Sequence, residues 1–483
     1  MIAALDALPL HALVPELLLV MALFAILGVD LLRHPALRTA GPWLGGVACA
    51  VAACFALPAA PTTVGPMLAI DGLAGFARLL ILALAALVLL ATAARAHRID
   101  QPGAFAMAVV ALALGADLSA AASNLLPVWL GLELIAMASY TLVAFGGERR
   151  AAEAGMKFVL FGGVASALML FGASHVYGLT GSFEFAGMRA LLGGGFGPAG
   201  TLALLLAGCG LAYKLSLVPF HFYAPDVYQG APPLGISVVA VLPKIGAAVA
   251  LLHFLTPAGP LPAALPAAVA TGLAATAAVS ALVGGFVAVV QRDGKRILAF
   301  SGIGHGGALL LAIACGPATG ARAAVCFYLL TYGIANVGAF VCLDVLVGDR
   351  GATGLEALAS AWRRRPVVAA LLCVCVLSLA GIPPLAGFLG KWGVLQQAFG
   401  LAMASRELQP LGVAALLLLL ASVVAAWSYL LLVRALVLAP AASEAPPEVP
   451  LALPLRLVLA VAAIAVVGFG LWLDGFSWLG QLV

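Results

Sequence analysis

Residues 211 to 233 read LAYKLSLVPFHFYAPDVYQGAPP, which places Lys214 inside an otherwise apolar span that is about to break at Pro219. An ammonium at mid-depth in a bilayer costs at least about 2.5 to 3.5 kcal/mol, so a lysine kept there should face protein or trapped water. Proline removes a backbone donor and frees a carbonyl. At membrane depth such a break survives only where the loosened backbone is packed in protein or lines a hydrated cavity. A lysine beside a break therefore points to a wet pocket, the competing reading being a lysine that snorkels to the surface from a helix end.

Whether the span lies in a membrane is decided by composition. Of 483 residues 64% are hydrophobic and 9% charged, and the mean hydropathy is +1.18. Such values indicate an integral membrane protein rather than a soluble domain. Long apolar runs containing Gly and Pro, with no alternating ten-residue pattern, indicate helices rather than a barrel. The expected architecture is an all-α polytopic membrane protein of about 14 crossings in a single membrane domain, 1–483. Expected spans are 13–32, 40–57, 67–94, 104–122, 124–145, 157–178, 200–222, 232–255, 266–290, 296–315, 322–347, 367–399, 411–438 and 451–473. The first run follows no basic segment and carries Glu16, so it reads as a span and not as a cleaved signal. A net charge of +4 is too small and too scattered for a nucleic-acid partner.

Basic residues cluster after odd-numbered spans: Arg33, Arg38, Arg95, Arg98, Arg149, Arg150, Arg292, Lys295, Arg296, Arg350 and Arg363 to Arg365, with Arg434 and Arg456 near the same side. After even-numbered spans come Arg189, Arg322 and Arg406. By the bias of positive charge, odd connections face the cytoplasm and both termini lie outside. All eight cysteines fall in expected helices without a CxxC pair or a histidine cluster, and read as small buried hydrophobes.

Other charges interrupt the spans. Asp71 and Arg78 are seven apart on the third, and Asp117 lies toward the outer end of the fourth. Glu133 sits well inside the apolar fifth span, NLLPVWLGLELIAMASY. Lys157 opens the sixth, His175 lies near its interface end, and residues 180–199 form a Gly-rich external loop. His221 and Asp226 occupy the Pro-bracketed connection after the seventh. Lys244 follows Pro243 in the eighth. His305 lies a third of the way into the tenth, after RDGKRILAFSGIG, whose GxGxxG match at Gly302, Gly304 and Gly307 reads as close helix packing, since no strand precedes it. In LSLAGIPPLAGFLGKWGVL (377–395) Pro383 and Pro384 break the helix before Lys391. The breaks in spans 7 and 12 correspond if the chain holds two inverted five-helix repeats, about 104–255 and 266–438, flanked by helices within 13–94 and 451–473.

Glu133, Lys214, Lys244 and Lys391, with His305 as either a relay or a plain hydrogen-bonded histidine, form a spaced polar series in hydrocarbon. An amine shut away from water holds its proton less firmly, and a nearby carboxylate tightens the hold again. Moving Glu133 toward or away from Lys214 would therefore pass a proton along. Sodium is less well served, because hard cations want several oxygen ligands. No Walker A loop, haem or flavin motif, metal-ligand pair or nucleophile-base set is present, so energy for a pump would come from partner subunits or an ion gradient.

At these residues the chain resembles a known family. PFHFYAPDVYQGAP (219–232), LGLELIAMASY, EAGMKFVLFGGVASALMLFGASHVYGLTG (153–181), RDGKRILAFSGIGH, YLLTYGIANVGAF (328–340) and WRRRPVVAALLCVCVLSLAGIPPLAGFLGKW (362–392) are similar to the antiporter-like membrane subunits of bacterial NADH:quinone oxidoreductase, respiratory complex I, and among them to subunit N, whose mitochondrial counterpart is subunit 2. The resemblance implies 14 helices with inverted repeats and broken helices 7 and 12. It implies that Glu133 pairs with Lys214, that Lys244 is the central and Lys391 the terminal lysine, and that His305 lies on the central axis, with His221 a weaker candidate beside them. It further implies partners among the other membrane subunits, including further antiporter-like ones, within the inner membrane. FMN, iron–sulfur clusters and quinone are expected in those partners and no cofactor or metal in this chain. Arg78 departs from the apolar pattern expected of the third helix and receives no role. Two other readings remain: a sodium/proton antiporter subunit, which shares the fold, and a structural scaffold whose buried charges only lock helices together.

Overall fold

The computed structural model describes residues 9–32, 34, 37–145, 147–192, 197–255, 265–316, 319–348, 353–359, 361–438 and 450–483. Each expected span meets a helix. Eleven among the described residues are long and apolar enough to cross a membrane, and the shorter Ala40–Ala53 and Pro366–Ala380 are also apolar. Three expected spans are interrupted, Gly197–Lys214 stopping well short of residue 222, the eighth turning at residues 240–241 between Pro233–Val239 and Leu242–Leu255, and the twelfth dividing into Pro366–Ala380 and Ala386–Ala404. The sixth begins at Arg149, eight residues before Lys157, which is half-buried on the third turn with Glu153 and Asp226 for partners.

Connections sort into two ends. At one, Arg38 donates to the Asp100 carbonyl, Arg95 pairs with Asp344 at 2.9 Å, and the Gly294 amide donates to Thr353. At the other, the Ala69 amide donates to Ala121 and that of Leu125 to Phe183. Loops following odd-numbered expected spans thus bond to one another, and loops following even-numbered ones do likewise. Arg33 and Arg350 lie outside the described residues.

The even-loop end contains structure the hydropathy concealed. Residues 62–70 form an antiparallel hairpin, Thr62–Val64 with Leu68–Ile70, turned at Gly65 with φ +55°. Its second strand bridges to Ala122, and Asn124 bridges to Glu184. The expected Gly-rich loop after residue 180 holds a helix, Phe185–Leu192. The third helix accordingly begins at Gly72 rather than 67, and Asp71 is its N-cap, accepting from the Ala74 amide at 2.9 Å and pairing with His253. Asp71 and Arg78 do not share a helix face.

Arg78 is instead fully buried with two carboxylates from other helices: Glu16, which accepts a hydrogen bond from its guanidinium, and Asp117 at 3.6 Å. This junction ties the first, third and fourth helices together. Cysteine behaves as expected at seven positions, whereas Cys54 is exposed because the Ala40–Ala53 helix ends one residue earlier. The glycine motif serves packing: a Cβ on Gly307 would strike the Ala277 carbonyl, and one on Gly284 the backbone of Gly304.

Pro233–Leu255 and Gly294–Ala314 lie innermost, with 89% and 94% of their apolar windows buried, against 28% for the helix ending at Leu31. These two inner helices carry Lys244 and His305.

At the odd-loop end Asp226 joins Lys157 at 2.9 Å and Arg296 at 2.8 Å. Partial burial works against its charge, but the hydrogen bonds and charges of Lys157 and Arg296 outweigh it and hold the carboxyl below the usual carboxylate range. A lowered folded pKa contributes stability above the unfolded value of about 3.9 and loses it as pH falls through the folded value. Asp226→Asn should therefore lower melting temperature at neutral pH and bring the variant and the parent closer together in acid; equal melting at pH 7 would contradict this. Arg78→Ala, which leaves two buried carboxylates without their cation, should cost about 3 to 5 kcal/mol, and replacing Arg78, Glu16 and Asp117 together by apolar residues should recover most of the loss. Thermal unfolding in detergent measures both.

Candidate functional site

The site is built on the two helix breaks. In the first, Gly197–Lys214 ends, Ser216 takes a left-handed conformation at φ +57°, and Pro219 has no amide proton to give. The broken backbone is satisfied from outside. Ser280 Oγ accepts from the Val218 amide at 3.0 Å, Tyr223 Oη donates to the Tyr213 carbonyl, and the freed Leu215 carbonyl accepts from Lys244 Nζ at 2.7 Å. Gly306 presses on that same carbonyl with no room for a side chain.

Lys244 follows Pro243, where a turn at residues 240–241 separates the helical segments Pro233–Val239 and Leu242–Leu255. Its Nζ also donates to the Gly302 carbonyl at 3.2 Å, which brings it to the inner helix bearing His305.

The second break repeats this chemistry. Pro366–Ala380 ends at Gly381, φ +86°, and the freed Ala380 carbonyl accepts from Lys391 Nζ at 2.9 Å. A Cβ at Gly381 would crowd the Lys391 side chain, so glycine serves both the turn and the lysine. Pro383 and Pro384 lie between the halves, and Ser378 Oγ accepts from the Gly387 amide. In both places an ammonium caps the C-terminal, partially negative end of a broken helix.

Lys214 differs. It is 6% exposed, its Nζ has no hydrogen-bond partner, and it lies 5.4 Å from the centre of the Tyr213 ring. It borders a cavity of about 20 Å³ shared with Glu133, Ser166, Trp129 and Tyr140, room for about one water. The Glu133 carboxylate accepts from Ser166 Oγ, which in turn accepts from Trp129 Nε1 at 3.2 Å. Acid and amine thus face one cavity without forming an ion pair.

His305 and Lys391 border a second cavity of about 30 Å³. His305 Nδ1 is 2.6 Å from Tyr328 Oη, its Nε2 is 3.5 Å from Tyr429 Oη, and its ring lies tilted 4.9 Å from that of Tyr332. His221 is buried beside the first break, with Nδ1 unpartnered and its ring against Phe222. Its contacts do not join it to the lysines.

The structure therefore brings Glu133 to Lys214, Lys244 to the first break, and His305 to Lys391. Ser166, Trp129, Tyr328 and Tyr429 escaped sequence reasoning, since hydroxyls and rings within apolar helices carry no spacing signal. Such an arrangement can hold protons on amines, an imidazole and a carboxylate, with polar groups and room for water between them.

Residues 122–408 match the family described as NADH:quinone oxidoreductase/Mrp antiporter, TM. NADH-quinone oxidoreductase subunit N of Parvibaculum lavamentivorans is 34% identical over 379 residues, 77% of this chain and 75% of that protein. The same-named protein of Rhodospirillum rubrum is 39% identical over 274 residues, 56% of this chain. In that match the chain spans about half, 54%, of the relative's length. Among solved structures, a chain of respiratory complex I from Thermus thermophilus with bound aureothin superposes with a TM-score of 0.78 at 31% identity, over 95% of this chain and 98% of that one. On the family match over residues 122–408, and on a subunit N relative matched across three quarters of its length, the chain belongs to the NADH:quinone oxidoreductase/Mrp antiporter membrane family, in its subunit N branch.

Proposed function

We propose that this chain is a proton-translocating, antiporter-like membrane subunit of an NADH:quinone oxidoreductase, moving protons along Glu133, Lys214, Lys244, His305 and Lys391. The observation that carries the reading is the pair of breaks at which Lys244 and Lys391 hold freed carbonyls, beside a Lys214 that has no such partner. A lysine locked only for structure would have its donors satisfied. Lys214 instead shares a cavity with a carboxylate that Ser166 holds.

In this reading Glu133 exchanges partners. Bound to Ser166 it leaves Lys214 free to release its proton toward Lys244, and paired with Lys214 it holds the proton in place. Redox chemistry, with its FMN, iron–sulfur clusters and quinone, belongs to partner subunits, and this chain supplies the proton path. Its partners are other membrane subunits, further antiporter-like ones included. The chain lies in the bacterial inner membrane with the odd-loop end cytoplasmic and both termini periplasmic, as the basic residues favour. Fourteen crossings, arranged as two inverted repeats with flanking helices, suit the paired breaks. His221, beside the first break, is the weaker member of the path.

The family description, which also covers Mrp antiporters, supports a second reading, a subunit of a sodium/proton antiporter complex. Co-purification with flavin- and iron–sulfur-bearing chains separates the two.

Lys244→Ala or Lys391→Ala in the whole complex should lower its melting temperature, since a carbonyl loses its donor, yet leave co-purification intact and abolish proton pumping, read as acidification of proteoliposomes per NADH oxidised. Full pumping in both variants would reject the reading. Ser166→Ala removes a hydrogen bond to a charged group, worth about 1.5 to 3 kcal/mol, and should shift Glu133 toward Lys214. Pumping should then slow at unchanged subunit content, and an unchanged rate would remove Ser166 from the account.

A further inference from the structure

Among the described residues, neither Glu133 nor the lysines of the series lead from the odd-loop end to its second half. The cavity around His305 contains polar groups on the side that faces that end. Tyr429, on Gln409–Val437, is fully buried, and its Oη donates to Ser301 Oγ at 2.5 Å while lying 3.5 Å from His305 Nε2. Ser301 is itself buried, 5% exposed.

Position gives this chain of hydroxyls a direction. Ser301 precedes His305 by four residues, one turn nearer the start of Gly294–Ala314. That start is capped by Asp293 and flanked by Arg292, Lys295 and Arg296. Tyr429 lies on the part of its helix approaching Arg434, at the same end. Both hydroxyls therefore stand on the basic-loop side of His305. Small residues hold the space open: Gly284 and Gly285 from one helix face Ala421, Ser422 and Ala425 from another across the cavity. Its volume of about 30 Å³ has room for a water molecule or two against the hydroxyls.

The two nitrogens of His305 are addressed by different tyrosines, Nε2 by Tyr429 and Nδ1 by Tyr328. A neutral imidazole takes a proton on one nitrogen and releases one from the other. Hydroxyl groups both donate and accept, so each can hand on one proton as it receives another.

We infer that Ser301 and Tyr429 form an uptake branch that delivers protons from the odd-loop end to His305, and that Tyr328 receives them on the far side. The hydrogen bond from Tyr429 to Ser301 is the arrangement left after a proton has passed. Both hydroxyls then rotate, so that Ser301 donates to Tyr429 and Tyr429 to His305 Nε2. A proton arriving on Ser301 Oγ releases that hydroxyl's own proton to Tyr429 Oη, and the proton of Tyr429 passes to Nε2. The Nδ1 proton passes to Tyr328 Oη, which gives up its own proton to the cavity shared with Lys391. One proton enters and one leaves, no electron moves, each hydroxyl ends neutral, and the imidazole returns to its first tautomer before the next cycle. This branch rests on the proton-translocation reading and adds to it the place of entry.

The test compares Tyr429→Phe, which keeps the ring and its packing, with Lys391→Ala in the whole complex reconstituted in liposomes, reading protons pumped per NADH oxidised and subunit content. Tyr429→Phe should slow pumping by on the order of 100-fold, the lower end for loss of a proton-transfer group, at parental subunit content. Ser301→Ala should do the same, Ser301→Thr should restore the rate, and the double variant should be no slower than either single one. If Tyr429→Phe and Ser301→Ala both pump at the parental rate while Lys391→Ala does not, the uptake branch is overturned and the translocation reading stands. If Lys391→Ala and Lys244→Ala also pump normally, both fall. Should Tyr429→Phe fail to assemble, the Ser301 pair decides: equal rates for Ala and Thr overturn the branch.

Discussion

An ammonium held against the carbonyl of a broken helix is the contact on which the rest of the structure depends. A helix that stops inside a membrane leaves acceptors that water cannot reach, at a cost of several kcal/mol each. Lys244 on Leu215 and Lys391 on Ala380 satisfy such acceptors, and in doing so each amine finds a partner for its own donors in an apolar interior. The break and the lysine explain one another. Remove the break and the ammonium has no acceptor; remove the lysine and the carbonyl is orphaned.

Packing follows from that constraint. The helices carrying Lys244 and His305 are the most buried, and glycine at 306 allows one of them to reach the first break. Less buried helices surround them, held at one end by the hairpin and the bridged loops and at the other by the Asp226 cluster. The Arg78 junction fastens the outer helices through charge rather than apolar contact. Rigid scaffolding of this kind leaves few groups free to change partners. Lys214 and Glu133 are two of them, which is why the movable step is assigned there.

Much of this was legible in the sequence because hydrophobic length and buried charge are strong signals. Both breaks and all three lysines could be named from prolines and single charges, and the GxGxxG run was rightly read as packing. Helix ends were less legible. The apolar hairpin at Leu68–Ile70 reads like the continuation of a span, so Asp71 looked like a mid-helix residue when it caps one. Arg78 had no role because its partners, Glu16 and Asp117, lie 62 and 39 residues away in sequence. Ser166, Tyr328 and Tyr429 were invisible for a similar reason. An isolated hydroxyl in an apolar helix acquires meaning only from what crosses beside it.

The central claim is that Lys214, Lys244, His305 and Lys391 form one connected, hydrated row. The most direct measurement is a cryo-electron microscopy map of the assembled complex at a resolution that shows ordered water. Ordered water is expected in the cavity between Glu133 and Lys214 and in the one between His305 and Lys391, with Lys244 and Lys391 on their break carbonyls. Dry, side-chain-filled cavities, or lysines turned outward to headgroups, would contradict it.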